Sequence, residues 1–167
     1  MDQTPKQADW RRWLENHASK FLLFARQKTR CEADAQDVVQ EAVVEAAQRL
    51  NNGEPPAVAL VFATIHRRAI DLGRRDQRRA GREMASAKHE PEAWFDTGVE
   101  ERERAQLIQD AMNRLPEIYR AVITLKIWGE LTFAEIAEIL NIPANTAASR
   151  YRYGLEELRK ITKEVVT

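Results

Sequence analysis

The chain has 167 residues, with 26 lysines and arginines balanced by 26 aspartates and glutamates, so its formal net charge is zero. That length suits one domain of ordinary size or two small ones, and the single cysteine, Cys31, excludes a disulfide framework and a cysteine-rich metal site. A lone thiol fits a reducing, cytoplasmic setting; the polar start around Asp2 and Lys6 does not resemble a signal sequence, and no stretch has the length and apolarity to span a bilayer.

Neutrality here is an average over opposed segments. Cys31 to Leu60 holds six acids and Arg49 as its one base, whereas Val61 to Glu90 holds eight bases and four acids. A phosphate backbone meets the local field, so a zero total does not exclude nucleic acid.

Periodicity is helical nearly throughout, which predicts an all-α fold. Trp10, Trp13, Leu14, Phe21 and Phe24 fit an opening helix whose aromatics enter a core. A second helix is expected from Asp34 to Leu50, with Val39, Val43, Ala46 and Leu50 on one face and Asp34, Asp37, Glu41 and Glu45 nearly opposite. Asn51-Asn52-Gly53-Glu54-Pro55-Pro56 stops it in a turn-rich loop. A third helix buries Val58, Phe62, Ile65, Ala69 and Leu72, and gathers Arg67, Arg68, Arg74, Arg75, Arg78 and Arg82 on its other side. Past Gly73 the apolar stripe ends while the arginines continue, so the basic end should project beyond the core.

From Met84 to Glu103 the pattern lapses into a linker, in which Trp94 and Phe95 are out of place and invite docking on a domain surface or a partner. Residues 1–83 and 104–167 are the two small helical domains on either side. Ile108, Met112 and Leu115 resume a helical face, Pro116 suits the first turn of the next helix, Ile118, Val122 and Leu125 make its buried stripe, and Gly129 suits its end.

The sharpest signal begins at Leu131. Thr132 and Glu135 have the spacing of a capping box, with Leu131 and Ile136 placed for a hydrophobic staple. Asn141-Ile142-Pro143 makes a short turn, and a second helix follows with Ala148, Tyr151, Leu155 and Leu158 on its buried face. Asn145, Thr146, Ser149, Arg150, Arg152 and Tyr153 lie elsewhere on its first turns, and their hydrogen-bonding and cationic groups suit base edges and phosphates. Glu156 and Glu157 then reverse the charge, leaving the N-terminal half for DNA, as in a helix-turn-helix. The small residues Ala144, Ala147 and Ala148 favour close approach to another surface.

Three segments carry a resemblance to a known family. "ADAQDVVQEAVVEA" (Ala33 to Ala46), "ATIHRRAIDLGRRDQRR" (Ala63 to Arg79) and "LPEIYRAVITLKIWGELTFAEIAEILNIPANTAASRYRYGLEELRK" (Leu115 to Lys160), in that order, resemble the extracytoplasmic-function sigma factors of the sigma-70 family. The resemblance implies that the first domain is like sigma region 2, the second like region 4, and the partners core RNA polymerase and promoter DNA. It implies that Asp34, Asp37, Val38, Gln40 and Glu41 dock on polymerase. Asn51 and Asn52, in the loop where the family captures a flipped-out base, would face −10 DNA with Arg67, Arg68, Arg74, Arg75, Arg78 and Arg79. It gives Asn145, Thr146, Ser149, Arg150, Arg152 and Tyr153 to the −35 element. Asp71 matches a family aspartate; four residues from Arg67 and from Arg75, it is expected to position arginines.

Departures from the family pattern bear on which promoter is read. Many members carry Gly-Thr-Val-Lys-Ser-Arg where this chain has Asn145 to Arg150, and asparagine is common where Arg67 stands. An anti-sigma factor is a further expected partner, no cofactor or metal is expected, and the free chain is expected to be a monomer. Acids of the linker and of the docking helix could fold back on the arginines and compete with DNA.

Rival readings lack their own signals. A free-standing helix-turn-helix regulator would need an effector pocket or dimerisation heptads, and a sigma mimic would not need seven arginines between Arg67 and Arg82. An enzyme would need clustered groups, yet His17, His66 and His89 are scattered without metal-ligand spacing.

Overall fold

A computed structural model of the chain describes residues 5–80 and 93–166. Among the described residues there are seven α-helices, one short 3₁₀ turn and no strand. They form two compact units that divide between residues 92 and 93. Arg82, His89 and the expected linker from 84 to 92 lie outside the described residues.

In the first unit, α1 (Pro5–Lys28), α2 (Glu32–Leu50) and α3 (Val58–Ala80) all pack on one another. Phe62 of α3 is the hub: its ring meets Phe21 at 4.9 Å and Phe24 at 5.5 Å, edge to face, the arrangement aromatic quadrupoles favour. Phe21 and Phe24 are the core aromatics expected of α1, while Trp10 and Trp13 are half-buried and Leu14 is exposed. On α3, Phe62, Ile65 and Ala69 are buried as expected, and Gly73, Arg74 and Arg75 stand in solvent past the end of the stripe.

The buried face of α2 is rotated from the expected one. Ala35, Val38, Val39, Ala42 and Ala46 are buried, Val43 is half-buried, and Leu50 is 45 % exposed. The bulkiest residues misled the stripe: α2 faces its neighbours through alanines, and short side chains bring helix axes close together.

The second unit begins at Ala93, eleven residues before the expected boundary at 104. Trp94 is 3 % exposed, its backbone N–H donates to Gln109 Oε1 at 2.8 Å, and the Arg120 guanidinium lies 5.7 Å from its ring centroid. Phe95 packs on Trp128 at 5.9 Å. The two aromatics out of place in a linker thus belong to the second unit.

After the 3₁₀ turn (Val99–Glu101) come α4 (Arg102–Arg114), α5 (Glu117–Ile127), α6 (Phe133–Leu140) and α7 (Ala144–Val166). Helix α5 is central, burying Ala121 to Leu125 on every side, whereas Ile108 and Ile118, expected inside, are exposed. Arg120 donates to the carbonyls of Met112 (2.9 Å), Asn113 (3.1 Å) and Leu115 (2.9 Å), satisfying the open end of α4. Burial lowers the Arg120 pKa and Glu117 opposes that shift, so the guanidinium acts as a structural cation joining α4, α5 and Trp94.

The helix-turn-helix forms at the expected residues, but on α7 Ala147 and Gly154 are buried while Ala148, Tyr151, Leu155 and Leu158, expected on the buried face, are half-buried. Glu135 N–H donates to Thr132 Oγ1 at 3.1 Å and Thr132 N–H to Glu135 Oε1 at 3.0 Å, completing the capping box, with Leu131 and Ile136 buried beside it. Asn141 ends α6 in the left-handed conformation at φ 55°, and Ile142 N–H reaches Ala137 O at 3.0 Å. At the end of α5 the left-handed residue is Glu130, at φ 53°, rather than Gly129. Gly129 is required for space instead: a Cβ there would lie 2.5 Å from the Leu125 carbonyl oxygen.

Candidate nucleic-acid interface

The acidic row of α2 lies along its crossing with α3. Asp37, Gln40 and Glu41 are exposed and Asp34 is half-buried. Val38 differs from its expected place on a docking surface: at 4 % exposure its side chain is core, so it can only support the row from beneath. Asp34, Asp37, Glu41, Arg68, Asp71 and Arg75 line a shallow cleft between the two helices.

Across this cleft the expected docking acids meet the expected DNA-facing arginines. Arg68 donates from Nη1 to Glu41 Oε2 at 2.7 Å and from Nε to Glu45 Oε2 at 2.9 Å. Arg67 pairs with the other oxygen of Glu45. Burial pushes the Glu45 carboxyl up, but hydrogen bonds from Arg67 and Arg68 outweigh it and hold the group below its ordinary range. The fold-back of docking-helix acids on arginines is therefore present within the first unit. Glu45 was legible as a member of the acidic stripe but not as the residue clamping two arginines, because nothing in the sequence aligns α2 with α3.

Asp71, expected to position Arg67 and Arg75, is exposed and forms an ion pair with neither; Glu45 and Glu41 take that part for Arg67 and Arg68. Arg74, Arg75, Arg78 and Arg79 are exposed on the projecting end of α3, with no ion pair among the described residues.

The loop after α2 is held at each step. Asn51 caps α2 in the left-handed region at φ 47°, its N–H on Ala47 O at 3.2 Å. Asn52 Oδ1 accepts from Glu54 N–H at 3.0 Å, an Asx turn. Gly53 has φ 75°, which glycine adopts without strain. Pro56 is buried and Asn51 to Glu54 are exposed.

In the second unit, helical spacing sets Asn145, Ser149 and Arg152 in one row of α7 and Thr146, Arg150 and Tyr153 in the next. Asn145, Arg152 and Tyr153 are exposed, and Thr146, Ser149 and Arg150 are half-buried. Arg152 stacks over the Tyr153 ring at 5.0 Å. Ala147, expected to approach another surface, is fully buried in the unit's own core. Gly154, which drew no attention in the sequence, sets the crossing of α7 on α5: a Cβ there would come within 2.9 Å of Ile123 Cδ1 and 3.0 Å of Tyr119 Cβ.

Residues 9–79 match the family model for sigma-70 region 2, and residues 105–158 match that for sigma-70 region 4. The chain is 44% identical over 63 residues to the ECF RNA polymerase sigma factor SigW of Bacillus subtilis, a match covering 38% of this chain and 34% of that one. It is 25% identical over 154 residues to the RNA polymerase sigma factor SigV of the same organism, covering 90% of both. It is 29% identical over 154 residues to the ECF RNA polymerase sigma factor SigL of Mycobacterium tuberculosis, covering 90% of this chain and 87% of that one. Among solved structures, the fold resembles the sigma factor RpoE of Bartonella quintana, crystallised with the anti-sigma factor NepR, at a TM-score of 0.67 and 19% identity over 93% of this chain and 97% of that one. It also resembles CnrH, solved in complex with the cytosolic domain of CnrY, at a TM-score of 0.61 and 19% identity over 93% and 88% of the two chains.

Proposed function

Because the chain belongs to the sigma-70 family, of the extracytoplasmic-function type, we propose that it brings core RNA polymerase to specific promoters and helps open them, by the division of labour that follows. One observation carries the reading: regions 2 and 4 are matched in order, one on each compact unit, over the helices that bear the arginine cluster and the helix-turn-helix. The cytoplasm, where polymerase and DNA are found, is its place of action; no described helix is long and apolar enough to cross a membrane.

In this reading residues 1–83 work as the region 2 domain and residues 104–167, with the anchored segment from Ala93, as the region 4 domain. Asp34, Asp37, Gln40 and Glu41 offer polymerase a row of carboxylates and an amide, with Val38 as its floor. The free cations Arg74, Arg75, Arg78 and Arg79 track the phosphates of the opened −10 strand, while Asn51 and Asn52 present the loop that takes a base. Arg67 and Arg68 join them once Glu45 and Glu41 release them. Asn145, Thr146, Ser149, Arg150, Arg152 and Tyr153 enter the major groove of the −35 element, with Arg150 suited to a guanine edge and Asn145 to an adenine. An anti-sigma factor would act by covering either surface of a free, monomeric chain.

The test is transcription of a genomic library by purified core polymerase with and without the chain. New start sites sharing two upstream motifs are expected. Tight sequence-specific binding by the chain alone, unaltered by core, would instead support a free-standing regulator.

A further inference from the structure

Helix α1 has no part in the interfaces above, yet its first turns reach the loop after α2. Trp10 Nε1 donates to the Gly53 carbonyl at 2.9 Å, a contact spanning 43 residues. Lys6 stands at the same glycine, its Nζ 3.5 Å from where a Cβ on Gly53 would be. The indole is braced from behind: Trp13 meets it edge to face at 5.5 Å, and Trp13 in turn touches the core ring of Phe21 at 5.6 Å. A shallow groove opens to solvent between helix and loop, lined by Trp10, Leu14, Gln7 and Gly53 with two cations, Lys6 and Arg11, and one acid, Glu15.

We propose that this groove is a second subsite for single-stranded promoter DNA, in which Trp10 offers a stacking surface, Lys6 meets a phosphate, and the Trp10–Gly53 bond fixes the loop that takes the neighbouring base. Three features favour this occupant over a protein segment. A half-buried aromatic beside a cation is the combination that holds unstacked nucleotides without reading their sequence. The groove is continuous with the loop through Gly53, so a strand with one base in the loop would pass along it. Its floor is anchored to the core by an aromatic chain, and the loop is held by the Asn52 turn, so little order need be gained on binding.

The inference rests on the sigma-factor reading, and its test separates the two. A library of premelted promoter bubbles with randomised non-template strands is bound to core polymerase alone, to the holoenzyme, and to holoenzymes carrying variants; retained DNA is sequenced. Enrichment by the wild-type holoenzyme no greater than by core alone would overturn the sigma-factor reading itself. With enrichment present, Trp10→Ala should lower retention roughly tenfold, the scale of one lost base stack. Lys6→Gln, at an exposed position, should lower retention and flatten the logarithmic salt dependence by about 0.7, the single-strand value for one phosphate. Trp10→Phe keeps a ring but not the donor, so it should retain more DNA than Trp10→Ala while blurring the base preference at the loop. Wild-type retention and salt dependence in both Lys6→Gln and Trp10→Ala would overturn the subsite, and an undiminished base preference in Trp10→Phe would overturn the role of the Gly53 bond.

Discussion

The two units hold the cations of their candidate DNA surfaces differently, although Arg74, Arg75, Arg78 and Arg79 of the first are as free of ion pairs among the described residues as Arg150 of the second. In the first, Arg67 and Arg68 are engaged by Glu45 and Glu41, carboxylates of the helix that also carries the acidic docking row. In the second, Arg150 has no ion pair among the described residues, and Arg152 stacks on its neighbour Tyr153. A duplex-reading surface can stay open, because double-stranded DNA is its target from the outset. A surface for melted strand does better partly closed, since cations held by internal carboxylates attract less DNA until a competitor draws those carboxylates away. The difference between the units thus lies in the crossing of α2 and α3, where Glu41 and Glu45 meet Arg67 and Arg68.

The largest expected effect tests whether that crossing is a docking site. Asp37→Arg changes an exposed residue and disturbs none of the arginine pairs, so the fold should survive. Affinity for core polymerase, measured by pull-down or anisotropy, should fall about a hundredfold, since like charges at an interface cost several kcal/mol. A folded variant that binds core normally would remove the docking role.

Next in size is Arg150→Ala, which should weaken binding of a −35 duplex by about 1–3 kcal/mol if the guanidinium makes a bidentate base contact. A premelted bubble should rescue this variant better than one lacking Arg74 and Arg78, whose defect lies after melting. The reverse order of rescue would erase the distinction between the units.

A smaller effect of opposite sign is expected of Glu45→Gln. Partly exposed ion pairs contribute up to about 1 kcal/mol, so stability should fall modestly. Binding of a single-stranded oligonucleotide by the free chain should rise a few-fold as Arg67 and Arg68 are released. Unchanged or weaker binding would mean that the carboxylates position the arginines rather than restrain them.

Acid should have the gentlest effect, and should reach the first unit through Glu45 and Glu32. Glu32 is held below its ordinary range chiefly by hydrogen bonds from Arg26, both 2.7 Å long. A carboxylate depressed in the folded state binds protons more readily when unfolded, so its stabilisation is complete above the ordinary value, about pH 4.3, and is lost as pH falls through the folded one. Hydrogen exchange should show α1, α2 and α3 losing protection across that window.

What the sequence made legible was local, and what it hid depended on two elements meeting. The Thr132–Glu135 cap, the middle of the α3 stripe and the exposed arginines beyond it rest on spacing within one helix and appear where expected, while Val58 and Leu72 at the ends of the stripe are half-buried. The rotation of α2 was missed because its buried face is built from Ala35, Ala42 and Ala46, residues with little hydrophobic weight but the size a close crossing needs. The Glu45 clamp, the Trp94–Gln109–Arg120 anchor and the Trp10–Gly53 bond join residues far apart in the chain, which no periodicity announces. The candidate DNA residues of α7 were legible because they occupy two rows of one helix; the burial of Val38 was not, since a valine among acids looks the same inside or out.

Gly154 makes the recognition helix a lever resting on a bare fulcrum. Helix α7 touches down at Ala147, fully buried, and again at Gly154, where the missing Cβ lets it settle against Ile123 and Tyr119. Seven residues separate these supports, about 10 Å along the axis at 1.5 Å per residue. Raising the second by about 1 Å to admit a methyl group would tilt the helix by roughly 5–6°. Such a tilt would turn Asn145, Ser149 and Arg152 together against the groove, changing the angle of reading while leaving every contact residue in place. The aim of this helix is therefore set by a residue packed against α5, and not by the rows that carry Asn145, Ser149 and Arg152.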